Sequence, residues 1–99
     1  MEKWLYVMFI ERGKTYNKMT KAVVERHVAN IKRLDDAGSL ELCGVFKGYP
    51  GVAGMMILRA ESYEAADAIC QTEPLVAEGF ATYKLRALQV AERENNYLL

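Results

Sequence analysis

The sequence holds a single histidine, His27, and it stands inside the stretch VVERHVANIKRL. At helical spacing Val24, His27, Ile31 and Leu34 share one side, because residues three and four apart stack on the same face. Lys21, Glu25, Arg26, Lys32, Arg33 and Asp36 take the other side. A titratable ring therefore lies on the face that should meet the core. A free imidazole titrates near ~6.5, so it can both accept and donate a proton around neutral pH. A carboxylate beside it would set its tautomer and support the imidazolium, which makes a proton-transfer pair. Glu73, in the stretch QTEP just before Pro74, is the carboxylate that could reach it. The plainer readings are a histidine packed in the core and a glutamate exposed at a helix end, where the helix dipole is unfavourable.

Other residues invite weaker readings. Tyr6, Met8, Phe46, Met56 and Tyr83 are candidates to line a pocket, with core packing as the alternative for each. Tyr16 and Tyr49 fall in loops and could gate a cleft or be surface aromatics. Cys43 and Cys70 are far apart, with no CxxC and no Cys/His cluster. Neither a structural zinc site nor a disulfide framework is indicated. Each cysteine lies in an apolar element and reads as a buried structural thiol. A nucleophilic cysteine beside His27 is the minor alternative.

These residues need elements to position them. WLYVMFI, Trp4 to Ile10, is an apolar run rich in aromatic and β-branched residues and reads as a strand. Thr20 is a candidate N-cap for a helix running to about Ala37, with Gly38 ending it. Leu40 to Phe46 reads as a second strand, and the glycine-rich Lys47 to Gly54 as a loop. Met55 to Ala60, beginning a residue or two earlier, reads as a third strand. Ser62 caps a second helix running to about Thr72, and Pro74 cannot continue it. PLVAEG reads as a short helical turn closed by Gly79, and Phe80 to Val90 as the last strand. The order β-α-β-β-α-β is the ferredoxin-like arrangement, an α+β fold with one antiparallel sheet and two helices on one face. Residues 1–90 form one domain, and AERENNYLL (91–99) is a polar tail whose apolar tip could dock on a groove, including one on a second subunit.

The first and third strands do not alternate apolar with polar, so both of their faces favour burial. Two short helices can cover only one face. The simplest remedy is a second copy packed sheet to sheet, a two-fold homodimer. Thirteen basic and thirteen acidic residues cancel, so composition proposes neither a nucleic-acid nor a membrane partner. No stretch approaches the ~18–20 apolar residues of a membrane helix. The start lacks a small-residue cleavage site and reads as a strand rather than a signal peptide, so a cytoplasmic protein is expected.

Three motifs in order resemble the YCII-related family. They are the run from His27 to Gly38, the helix start from Ala60 to Ala65, and the acidic-Pro-Leu-Val-x-x-Gly segment from Glu73 to Gly79. The resemblance covers about nine-tenths of the chain. It implies a dimeric α+β barrel and an active site that pairs the helix histidine with the acidic residue before proline. That residue is usually aspartate in the family and is Glu73 in this chain. The resemblance further implies a cofactor-free lyase or isomerase acting on a small ring compound, in a barrel shared with muconolactone isomerases. It gives no substrate, and no metal or cofactor is expected. The alternative is a non-catalytic dimer that binds a small metabolite or a protein partner. An RNA-binding version of the fold lacks aromatics on the third strand, and a metal-transport version lacks its CxxC.

Overall fold

The apolar run near the start of the chain becomes the central strand of the sheet. The computed structural model describes residues 2–99. Its strands are β1 (Trp4–Arg12), β2 (Leu40–Val45), β3 (Val52–Leu58) and β4 (Ala81–Gln89). They are ordered β2-β3-β1-β4, and every neighbouring pair is antiparallel. The helices are α1 (Lys21–Asp36), α2 (Tyr63–Thr72) and the single turn α3 (Pro74–Ala77). This is the expected ferredoxin-like α+β fold. Phe46, Ala60, Phe80 and Val90, read as strand ends, lie just outside the strands.

Local chemistry sets the helix ends. Thr20 adopts extended backbone and its hydroxyl accepts from the Val23 amide at 3.3 Å, a cap worth about 1 kcal/mol. Gly38 follows α1 with φ +77°, a conformation that favours glycine. The Ser62 hydroxyl caps α2 by accepting from the Ala65 amide at 3.0 Å.

One face of the sheet carries Tyr6, Met8, Ile10, Met56, Leu58 and Leu85 into the core, where they meet Val23, Leu34, Ala66, Cys70 and Leu75 from the helices. The buried line of α1 is Val23, Asn30 and Leu34, with His27 and Ile31 partly buried beside it. Val24, expected on the inner side, is 41% exposed. Because α1 packs against α3 as well as the sheet, its inner stripe turns towards Val23 and leaves Val24 at the rim.

On the other face, Leu5, Val7, Phe9, Met55 and Ile57 are only half-buried, and Leu42 is exposed. The apolar strip crosses β2, β3 and β1, while β4 presents Lys84 and Arg86 on that side. Arg93–Leu98 form a 3-10 segment, held where the Asn95 side chain donates to the Val90 carbonyl at 2.7 Å. Tyr97, Leu98 and Leu99 at its tip remain exposed on the single chain. Among the described residues no helix is long and apolar enough to cross a membrane.

The β2–β3 pairing contains a glycine that cannot change. A Cβ at Gly54 would lie 2.4 Å from the Gly44 carbonyl oxygen, whereas a Cβ at Gly44 would meet nothing within 4 Å. Gly54→Ala is therefore expected to destabilise by about 1–3 kcal/mol, as overpacking does. Gly44→Ala should stay within about 0.5 kcal/mol of the parent. Urea midpoints at unchanged slope measure both; equal costs for the two would refute the close approach.

Candidate active site

Glu73 stands where one helix stops and the next begins. Pro74 has no amide to offer α2, so α2 ends at Thr72, and the same proline occupies the first position of α3. Glu73 takes φ −63°, ψ 126°, the extended conformation that a following proline favours. That bend turns its side chain inward, and the residue is 0% exposed. Burial of a carboxylate requires partners. Oε2 accepts from the Leu75 amide at 2.8 Å, and Oε1 bonds Nδ1 of His27. The Glu73 carbonyl accepts from the Val76 and Ala77 amides, and its amide donates to the Cys70 carbonyl. The plainer reading of an exposed carboxylate is thus excluded: Glu73 ends α2, as expected, but is buried and serves as the N-cap of α3.

His27 arrives from α1, one turn after buried Val23. Its side chain is 20% exposed. An ionised Glu73 carboxylate can only accept, and beside it Nδ1–H is the donor to Oε1. Nε2 has no protein partner among the described residues, and the ring lines a cavity of about 120 Å³. The floor of that cavity is Ile10, Gly54 and Met56 from the sheet; Cys43 and Val45 from β2 form its outer side. Ile31 stands beside His27, and Tyr16 and Leu75 also line it. No Lys, Arg, Asp or Glu side chain is among the lining residues. An outer clamp joins the same two elements: Arg26 bonds Glu78 at 2.6 and 3.0 Å. The hydrogen bond to Arg26 holds the Glu78 carboxyl below its ordinary range.

Of the residues read from sequence, His27, Met56 and Tyr16 line this cavity; Glu73, fully buried, does not line it and is tied to it only through His27. Tyr6, Met8, Phe46 and Tyr83 do not line it. Tyr6 lies beneath α2, edge-on to Tyr63 with ring centroids 6.3 Å apart. Met8 is completely buried in the core. The Tyr83 hydroxyl donates to Asp67 on α2 at 2.5 Å, which with burial pushes its pKa up. Phe46 packs on Tyr49 in the β2–β3 loop, with centroids 5.1 Å apart. Each is drawn away by a nearer partner that strand alternation alone does not reveal. Cys43 was missed. Read as a buried thiol, it sits on the edge strand, exposed and on the cavity wall. Its position next to Gly44 on a partly alternating strand was the one signal available. Cys70 is buried, as expected. Among the described residues no group of three or more His, Cys, Asp or Glu could hold a metal ion.

No family model matches the sequence, and no curated protein sequence matches it. Among solved structures the chain is similar to 5-chloro-2-hydroxyhydroquinone dehydrochlorinase (TftG) from Burkholderia phenoliruptrix AC1100, in complex with 2,5-dihydroxybenzoquinone. The TM-score is 0.61 at 11% identity, over 92% of this chain and 97% of that one. It is also similar to a mutant of MhuD with two manganese protoporphyrin IX bound per active site, at TM-score 0.49 and 14% identity, over 92% and 97% of the two chains. At this identity the first similarity establishes the fold alone, and no argument rests on the second.

The two thiols should behave oppositely. Iodoacetamide is expected to modify Cys43 in the native protein and Cys70 only on unfolding, read by peptide mass. Burial, and then the nearby Asp67, push the Cys70 thiol from its ordinary 9.0 up to about 12. A raised thiol pKa means that the folded state keeps a proton the unfolded chain gives up. The associated stability is complete below 9.0 and is lost as pH rises towards about 12. Urea midpoints should therefore fall through this range, and Cys70→Ala should fall less steeply; identical slopes would contradict the assignment.

Proposed function

We propose that the protein is a proton-transfer enzyme of the lyase or isomerase type, acting on a small ring compound as a homodimer. His27 is its general acid/base and Glu73 orients His27. The observation that carries this reading is the histidine's placement. Its Nδ1 is held by a fully buried carboxylate while its ring lines an otherwise apolar cavity. That leaves Nε2 free to take a proton from a bound molecule and return it elsewhere. The carboxylate keeps the tautomer and supports the imidazolium that forms. The chemistry asks only for a proton shuttle between Nε2 and the substrate.

Size supports a ring. A cavity of about 120 Å³ is close to the ~150 Å³ apolar cavity that accepts benzene. The shared fold with TftG, named for action on a chlorinated hydroxyhydroquinone, is compatible by analogy. The order of the three sequence motifs supports assigning the chain to the YCII-related family. The half-buried apolar strip of Leu5, Val7, Phe9, Met55 and Ile57 supports the dimer, since a second copy would cover it.

On hydroxylated single-ring compounds, His27→Ala should lose on the order of 10² to 10⁴ in kcat. Glu73→Gln should also lose about 10² or more. Its amide oxygen must still accept from Leu75, so its amide nitrogen would face Nδ1 and force the Nε2–H tautomer into the cavity. Full activity in folded His27→Ala would make His27 a core histidine. The assembly has its own check. Light scattering should give a mass of two chains at micromolar concentration, and Phe9→Lys, which sets a second lysine opposite Lys84, should give one. A single-chain mass for the parent would remove the dimer.

A further inference from the structure

We infer that the cavity beside His27 takes an uncharged single-ring molecule and turns away the same ring bearing a carboxylate. This rests on reading that cavity as the substrate site. The cavity's charge balance carries the inference. Its lining includes no Lys or Arg side chain, and its walls are mainly Ile10, Ile31, Val45, Met56 and Leu75. The one lining group able to become positive is His27, and it already faces the buried carboxylate of Glu73. Protonated, the two groups sum to zero, so no positive charge is left for an incoming anion. The nearby guanidinium of Arg26 makes two hydrogen bonds to Glu78. Arg12 lies over the Tyr16 ring, 5.6 Å from its centroid, and is not a lining residue.

An anion entering this space would shed water without gaining a counter-ion, which is unfavourable. A neutral phenol or enol avoids that cost. Its O–H or acidic C–H meets the lone pair of Nε2. When the proton moves to Nε2, the bonding electron pair stays on the substrate. The substrate's negative charge then appears only as His27 gains the proton, so the net charge of substrate, His27 and Glu73 does not change. A substrate that arrives charged adds its charge to that of Glu73.

Occupancy can be read without turnover, because Cys43 lines the same cavity and is exposed while Cys70 is buried. The rate of Cys43 alkylation by iodoacetamide is followed by peptide mass, anaerobically, against phenol, catechol, hydroquinone, benzoate and gentisate. Half-protection is expected at concentrations at least about tenfold lower for the three neutral rings than for the two carboxylates. Equal or better protection by the carboxylates, or no protection by any probe, would overturn the inference. Val45 is 73% exposed at the cavity rim, so Val45→Arg should fold. It should bring benzoate close to phenol; unchanged benzoate protection would reject the electrostatic basis. Selective protection by neutral rings without His27-dependent turnover upholds this inference and removes the catalytic reading. Equal protection by carboxylates together with His27-dependent turnover does the reverse.

Discussion

A carboxylate with no exposure to water must be bonded on both oxygens, and much of this structure is arranged around that need. Glu73 meets it with one partner close in sequence and one from a different element. The Leu75 amide is two residues away and free because the first amides of a helix have no partner within it. His27 comes from α1, 46 positions earlier in the chain. The bond therefore ties the first helix to the junction of α2 and α3, and the Arg26–Glu78 pair repeats the tie at the surface. Losing either partner would leave a buried charge uncompensated, which in general costs more than the pair itself contributes.

The same constraint explains why a histidine on an apolar face is tolerated. The ring lines the cavity beside Ile31, while Nδ1 satisfies Glu73. One nitrogen is committed to Glu73, and the other has no protein partner among the described residues. Positioning here is strict because the shell around the pair is packed: Leu75 and Cys70, on either side of Glu73, are both buried.

The cavity exists because the sheet is wider than its helical cover. β2 is an edge strand, where Cys43 and Val45 are exposed and line an apolar space. Gly54 keeps the sheet closely paired at that point by leaving room for the Gly44 carbonyl. On the opposite face the sheet has no cover from its own chain, and its apolar strip stays half open. Both features come from two helices serving four strands.

The fold was legible in the order of elements. Thr20, Gly38, Ser62 and Pro74 mark helix ends by local chemistry, and WLYVMFI by its unbroken apolarity, which suits a strand paired on both sides. Those signals act over a few residues, so a linear reading contains them. The candidates His27 and Glu73 were legible too, as a titratable ring on an inner face and an acid before a proline. Their bond was not, because it joins residues 46 apart, and only packing sets which of several carboxylates arrives. Tyr6, Met8, Phe46 and Tyr83 illustrate the same limit. Alternation tells which side of a strand a residue takes, but not whether a cavity or a tyrosine partner lies there. Cys43 was read as buried because its strand is apolar; the tertiary structure exposed it, since burial depends on what covers the strand, and β2 is at the sheet's edge. The sequence by itself determined the elements, their order and the two chemical groups. The tertiary structure decided their meeting, the shape of the space beside them and the absence of positive charge around it, because those depend on distances between elements that no local pattern encodes.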